Sequence, residues 1–147
     1  MNPHGEDFWA YDALTSTVHR FLPTSSFYTV TPCRLVDTRN PPGPFGGPAL
    51  AGGGDRTFVL AGRCDIPPTA TALAVNVTAT SSTAPGFLTL YAADAERPVT
   101  SNINYAAGST RANNAHVKLG PGGEVIVQCG QSGGTAHVII DVVGYHQ

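Results

Sequence analysis

Asp37 and Arg39 stand two residues apart in Leu35-Val-Asp-Thr-Arg39, a spacing that puts a carboxylate and a guanidinium on one side of an extended strand. Such a pair either grips a ligand at a loop edge or staples the turn that follows, Asn40-Pro-Pro-Gly-Pro44. Asp beside Pro/Gly turns ordinarily bonds to backbone, which favours the staple. Asn76, Asn102, Asn104, Asn113 and Asn114 offer paired donors and acceptors that suit sugar hydroxyls, with Phe87, Tyr91 and Tyr105 as an aromatic platform. Asparagines also satisfy strand ends and bulges, and that is the simpler reading. His116 lies in an alternating segment without Cys, Asp or a second His at ligand spacing, and His137 opens the last strand, so no metal site is expected. There is no Gly-x-Ser-x-Gly elbow and no carboxylate pair in a glycosidase-like motif. Asp94 and Glu96, with Glu6 and Asp7, are too sparse for a calcium loop. The expectation is a protein that is not an enzyme and needs no cofactor.

The three cysteines form no Cys-x-x-Cys pair. Cys33 and Cys64 flank the Pro/Gly-rich loop 40–54 and could staple its two ends as a disulfide, adding about 3 kcal/mol. Cys129 would then be free or paired between chains. Three buried, reduced thiols are the alternative.

The elements that must position these groups follow from composition. The chain has 147 residues, enough for one domain with a packed core. Charged residues make up 12% against roughly 25% in average soluble proteins, while glycine (17) and proline (12) are abundant, as many short strands joined by tight turns require. The net charge is −2, and the basic residues are arginines spread singly from Arg20 to Arg111 plus Lys118. No basic stripe exists to follow a phosphate backbone, so nucleic-acid binding is not expected. The arginines read instead as planar, multi-donor staples that tie loops to carboxylates or carbonyls.

From residue 26 onward the hydrophobic period is close to two. Strands are predicted at Ser26–Thr31, Cys33–Thr38, Arg56–Ala61, Thr71–Thr80, Gly86–Tyr91, Thr100–Tyr105, Ala112–Leu119, Glu124–Cys129 and Thr135–Val143. About nine short strands at regular intervals predict an all-β fold, a single antiparallel β-sandwich spanning 26–147. Leu73, Val75 and Val77 should point one way and Ala74, Asn76 and Thr78 the other; Val138, Ile140 and Val142 should oppose His137, Ile139 and Asp141. Both strands are apolar on nearly both faces, as central strands are. Asn76 and Asp141 must therefore find partners, and Arg39 or Arg111 is the natural one for Asp141. Asn76-Val-Thr78 is formally a glycosylation sequon, but its apolar strand argues against an exposed acceptor.

Residues 1–25 differ, holding Phe8, Trp9, Tyr11 and Phe21 with little Gly/Pro punctuation. Phe8, Tyr11, Leu14 and Val18 fall near helical spacing, which fits a short amphipathic helix over Asp7–His19, while Thr15–Phe21 alternates like a strand, so both readings stand. Two roles are open for this extension. It packs on its own sandwich or links to another domain, or Phe8, Trp9, Tyr11, Val18 and Phe21 form an assembly tail that adds a strand to a neighbour's sheet edge and builds a homo-oligomer or polymer. No basic segment followed by an apolar run marks a signal peptide, and no run reaches membrane-spanning length; the chain reads as a mature form or part of something larger.

The ordered set Pro32-Cys-Arg-Leu-Val-Asp-Thr-Arg39, Ala74-Val-Asn-Val-Thr-Ala-Thr80, Gly86-Phe-Leu-Thr-Leu-Tyr91, Arg97-Pro98, Ser101-Asn-Ile-Asn-Tyr105, Ala112-Asn-Asn114 and Asp141-Val-Val-Gly-Tyr145 resembles a β-rich accessory module of large secreted and cell-surface bacterial proteins, often a terminal or repeated unit. The resemblance covers residues 27–147 and leaves the extension outside it. It implies an extracellular or cell-surface location and a non-catalytic role. The reading that joins these observations is a structural, self-assembling sandwich module, a fibre or surface-layer subunit linked through its tail. The alternative is a carbohydrate-binding accessory domain with a glycan partner.

Overall fold

The computed structural model describes the backbone pairing of residues 8–12 and 17–21 and all of residues 25–147. Among the described residues there is no helix. The strands are β1 (Phe8–Asp12), β2 (Thr17–Phe21), β3 (Phe27–Asp37), β4 (Leu50–Ala51), β5 (Asp55–Val59), β6 (Ala72–Thr80), β7 (Gly86–Ala92), β8 (Ile103–Tyr105), β9 (Arg111–Lys118), β10 (Glu124–Cys129) and β11 (Thr135–His146). Nine of them, β3 to β11, build an antiparallel sandwich. One sheet runs β3-β11-β6-β9, with the short β4 paired to the start of β11; the other runs β5-β10-β7-β8.

Alternation decides the core. Leu73, Val75, Val77 and Ala79 of β6 and Val138, Ile140 and Val142 of β11 point inward and are fully buried against Phe58, Leu88, Leu90, Val125 and Val127 of the facing sheet. The opposite face of the long sheet carries Asn76, Thr78, His137 and Asp141, all half-buried, with Ala74 and Ile139 buried among them. The side-chain directions expected for these two strands are the ones found.

Two segments expected as separate strands are one. Ser26–Thr31 and Cys33–Thr38 merge into β3, which passes straight through Pro32. Proline is tolerated because β3 pairs only with β11 and because Pro32 falls where the register jumps, from Val142↔Cys33 to Gly144↔Thr29. The last strand outruns its expected end at Val143 and continues to His146. Val143 is the extra residue of a bulge between Val142↔Val75 and Gly144↔Ala74, so the alternation slips by one and conceals the continuation. Conversely, the expected Thr100–Tyr105 contracts to Ile103–Tyr105, and the two-residue β4 goes unforeseen.

The extension forms strands where the helical spacing pointed to a helix over Asp7–His19. β1 and β2 pair antiparallel with Phe8 opposite Phe21 and Tyr11 opposite Val18. The expected tail residues Phe8, Trp9, Tyr11, Val18 and Phe21 all lie in this hairpin; their side chains are outside the described residues.

Cys33 and Cys64 form a disulfide, with Cα atoms 5.8 Å apart and a sequence separation of 31. A loop of that length corresponds to roughly 3–4 kcal/mol of chain-entropy stabilisation. Cys129 is free and wholly buried, so pairing between chains would require opening the sandwich. Burial pushes its thiol up from the ordinary range, which keeps it in the unreactive protonated form. A thiol count tests both statements: the native protein should show no reactive thiol, the unfolded non-reduced protein one, and reduction should reveal two more while lowering unfolding stability by roughly 3–4 kcal/mol.

Candidate functional site

The polar residues singled out from the sequence gather mainly on the outer face of the long sheet. Strand register places Asn114, Asn76, Asp141 and Arg34 side by side in one row across β9, β6, β11 and β3. Asp141 takes Arg34, its direct cross-strand neighbour, through two parallel bonds: Nε to Oδ1 at 2.8 Å and Nη2 to Oδ2 at 3.1 Å. The expected partners, Arg39 and Arg111, are not used. Arg39 lies past the end of β3 and turns back on Asp37, while Arg111 sits on the far edge strand opposite Ala79. Alternation showed that Asp141 needs a cation; the partner's identity depends on register, which depends in turn on a bulge at Leu35.

Asp37 holds the network together. Its carboxylate accepts from Arg39 Nη2 at 2.7 Å, Arg39 Nε at 2.8 Å, the Arg39 backbone N–H at 3.2 Å and Arg34 Nη1 at 3.3 Å. The Arg39 hydrogen bonds are the main cause, with Arg34 adding to them, of a carboxyl held down from 3.8 to about 2. Arg34 thus bridges two carboxylates and ties the C-terminal end of β3 to the middle of β11.

Other arginines clamp the loop between β3 and β4. Arg56 donates to the Pro48 and Gly43 carbonyls at 2.9 and 2.6 Å. Arg63 lies flat on the Phe45 ring, 3.5 Å from its centroid, and donates to the bulged Leu35 carbonyl. The Asp37 N–H is closed by the Phe45 carbonyl at 2.9 Å. These contacts cover the free edge of β3 from Cys33 to Asp37; among the described residues nothing pairs with the free side of Phe27–Thr31.

The five asparagines do not form one surface. Asn76 and Asn114 share the outer row just described, whereas Asn102, Asn104 and Asn113 line a groove with Arg111 between β8 and β9. Two of the latter act on the scaffold: Asn102 Oδ1 accepts the Leu90 N–H at 2.7 Å, and Asn113 Nδ2 donates to the Asn102 carbonyl at 2.9 Å, stitching the two sheets' edges. Tyr91 and Tyr105 are too buried to serve as sugar platforms. Tyr105 instead donates to Gln131 Oε1 at 2.8 Å, beside Cys129. Tyr105 borders the groove between β8 and β9 but is only 6% exposed, whereas Phe87 lines a second groove, of about 490 Å³, shared with Ser101, Asn104, Arg97 and Gln128.

His137 pairs with Thr38 Oγ1 at 3.0 Å. His116 is not isolated, because β11 runs past its expected end and brings His146 within 3.2 Å of it. No set of three or more His, Cys, Asp or Glu able to hold a metal converges among the described residues.

No protein-family model and no curated protein matches the chain. Among solved structures it is similar to the coat protein of Tobacco streak virus: 11% identity, 86% of this chain and 90% of that chain covered, TM-score 0.42. A structure of that coat protein's dimer gives 11% identity, 83% and 88% coverage and a TM-score of 0.35. Likenesses this distant assign no activity.

The Asp37 network yields a pH signature. A carboxyl held below its unfolded value stabilises the fold above pH 4, and that contribution is lost as pH falls through about 2. Arg39 is half exposed, so solvent screening limits the contribution to about 1–2 kcal/mol. Asp37→Asn should lower stability by that amount at pH 7 and flatten the fall between pH 4 and pH 2, as read by urea unfolding across that range.

Proposed function

We propose that the chain is a non-catalytic, extracellular structural module of the bacterial cell surface that assembles with copies of itself through its N-terminal hairpin. The observation that carries this reading is the half-finished edge of β3. Its Cys33–Asp37 end is covered by the disulfide, the Arg63 contact and the following loop, whereas among the described residues its Phe27–Thr31 end has no cover, with Phe27 47% and Tyr28 40% exposed. Natural sheets normally blunt such edges. Here the bare stretch leads directly into the segment that holds β1 and β2.

A two-stranded hairpin is marginal in water and gains stability by joining a larger sheet. The long sheet offers an acceptor at its opposite margin, since among the described residues β9 pairs only with β6. A donor near one margin and an acceptor at the other make a head-to-tail contact, which propagates into a filament unless it closes into a ring. The disulfide suits an oxidising compartment outside the cell.

Glycan binding is the second reading, favoured by the groove at Phe87. The ring lies on Gly130, where a Cβ would come within 2.2–2.5 Å of it, and Ser101, Asn104 and Gln128 surround it with hydroxyl and amide groups. This combination of apolar face and polar rim is what a sugar ring requires.

Light scattering over a range of concentrations separates the two. The full chain should form large species and a chain beginning at Ser25 should remain a folded monomer; polymers from the shortened chain would overturn assembly through the hairpin. If both are monomers, glycan screening follows, with Phe87→Ala expected to abolish any signal at the groove.

A further inference from the structure

We propose that His116 and His146 form a two-imidazole site for a late divalent transition-metal ion on the outer face of the long sheet. The histidines come from different strands, β9 and β11, with β6 between them. His116 Nδ1 and His146 Nε2 lie 3.2 Å apart. Metal–nitrogen bonds of about 2.0–2.1 Å place two ligand nitrogens about 2.9 Å apart at a right angle and about 3.4 Å apart at a tetrahedral one. The observed separation falls between these limits, so one ion can bind both rings with little movement of either strand.

Three further features shape the site. His146 Nδ1 sits 3.3 Å from Ser25 Oγ, so the ring nitrogen not facing His116 has an oxygen partner that can fix its tautomer, as the outer partners of metal-bound histidines do. Phe27 lies across the sheet over Gly144, where a Cβ would meet the ring at 2.4 Å, and forms a wall against both imidazoles, with centroids at 5.0 Å from His146 and 6.2 Å from His116. His116 is exposed and His146 half-buried, which leaves water free to complete the coordination shell. Lys118, exposed on the same face two residues beyond His116, is the nearby charge that opposes a cation. Imidazole ligands without carboxylates select copper, nickel and zinc over magnesium or calcium, with copper bound most tightly.

The test is a titration of the full chain with Cu²⁺ and Zn²⁺ by calorimetry, with Zn²⁺ additions followed by the histidine ring resonances in NMR. Of the five histidines, His116 and His146 should shift together and saturably, and Cu²⁺ should bind more tightly than Zn²⁺. His116→Ala, on an exposed edge-strand position, should remove this binding; Ser25→Ala should weaken it by about tenfold; His137→Ala should leave it unchanged. Shifts confined to other histidines, binding that survives His116→Ala, or no saturable binding would each overturn the site and leave the pair as an imidazole–imidazole hydrogen bond. Because the NMR readout needs no substitution, misfolding of a variant would not rescue the proposal.

Discussion

β3 is an edge strand with two register breaks, and it is held to the sheet by the Arg34–Asp141 pair and the Asp37 carboxylate between Arg34 and Arg39. A strand bonded on one side and interrupted at Leu35 and again beside Pro32 has few regular ladder bonds. Planar guanidinium forks supply the missing definition because they meet a carboxylate in only a few geometries. In a chain with few charges, spending four of them on one strand indicates where the structure is hardest to hold. The disulfide at Cys33 and the Arg63 contact at Leu35 reinforce the same stretch.

Much of the fold was legible because strand alternation depends on burial, and burial is written in residue type. The inward sets of β6 and β11, the all-β sandwich and the pairing of Cys33 with Cys64 follow from local pattern or simple spacing, and the count of nine strands agrees although β3 merges two expected strands and β4 adds one. What was not legible depends on register. Asp141 meets Arg34 because a bulge at Leu35 realigns two strands, and nothing in a single sequence marks that bulge. The proximity of His116 and His146 was hidden for a related reason: the slip at Val143 made β11 look finished before His146 was reached. In the extension, helix and strand were both open because Phe8, Tyr11, Leu14 and Val18 fit a helical period while Thr15–Phe21 alternates, and pairing between β1 and β2 decides the matter.

The two margins of the long sheet are finished differently. At β3 the chain uses covalent, cation–π and carbonyl contacts to close one end, while the other carries exposed aromatic rings. At β9 the closure is lighter, a single Asn113 amide reaching the β8 side. The facing sheet uses Arg97 against Asp55 and a long loop over Thr89 and Tyr91 to cover its own outer side. Among the described residues, exposed aromatic rings are left at the Phe27 end, and grooves with polar rims at Phe87 and between β8 and β9.

The extra residue at Val143 works as a frame shift within one continuous strand. Before it, even-numbered residues of β11 face the core; after it, odd-numbered ones do, so Tyr145 stacks on Tyr28 at the mouth of the sandwich while Gly144 and His146 turn outward. The two ends of the strand are thus read in different phases, and it is the bulge that reconciles them: with Val143 drawn into regular pairing, inside and outside would be exchanged over the last three residues of the strand. Such pairing would drive an imidazole toward the core and a tyrosine into solvent, whereas deleting Val143 outright would remove the bulge and keep Tyr145 inside and His146 outside.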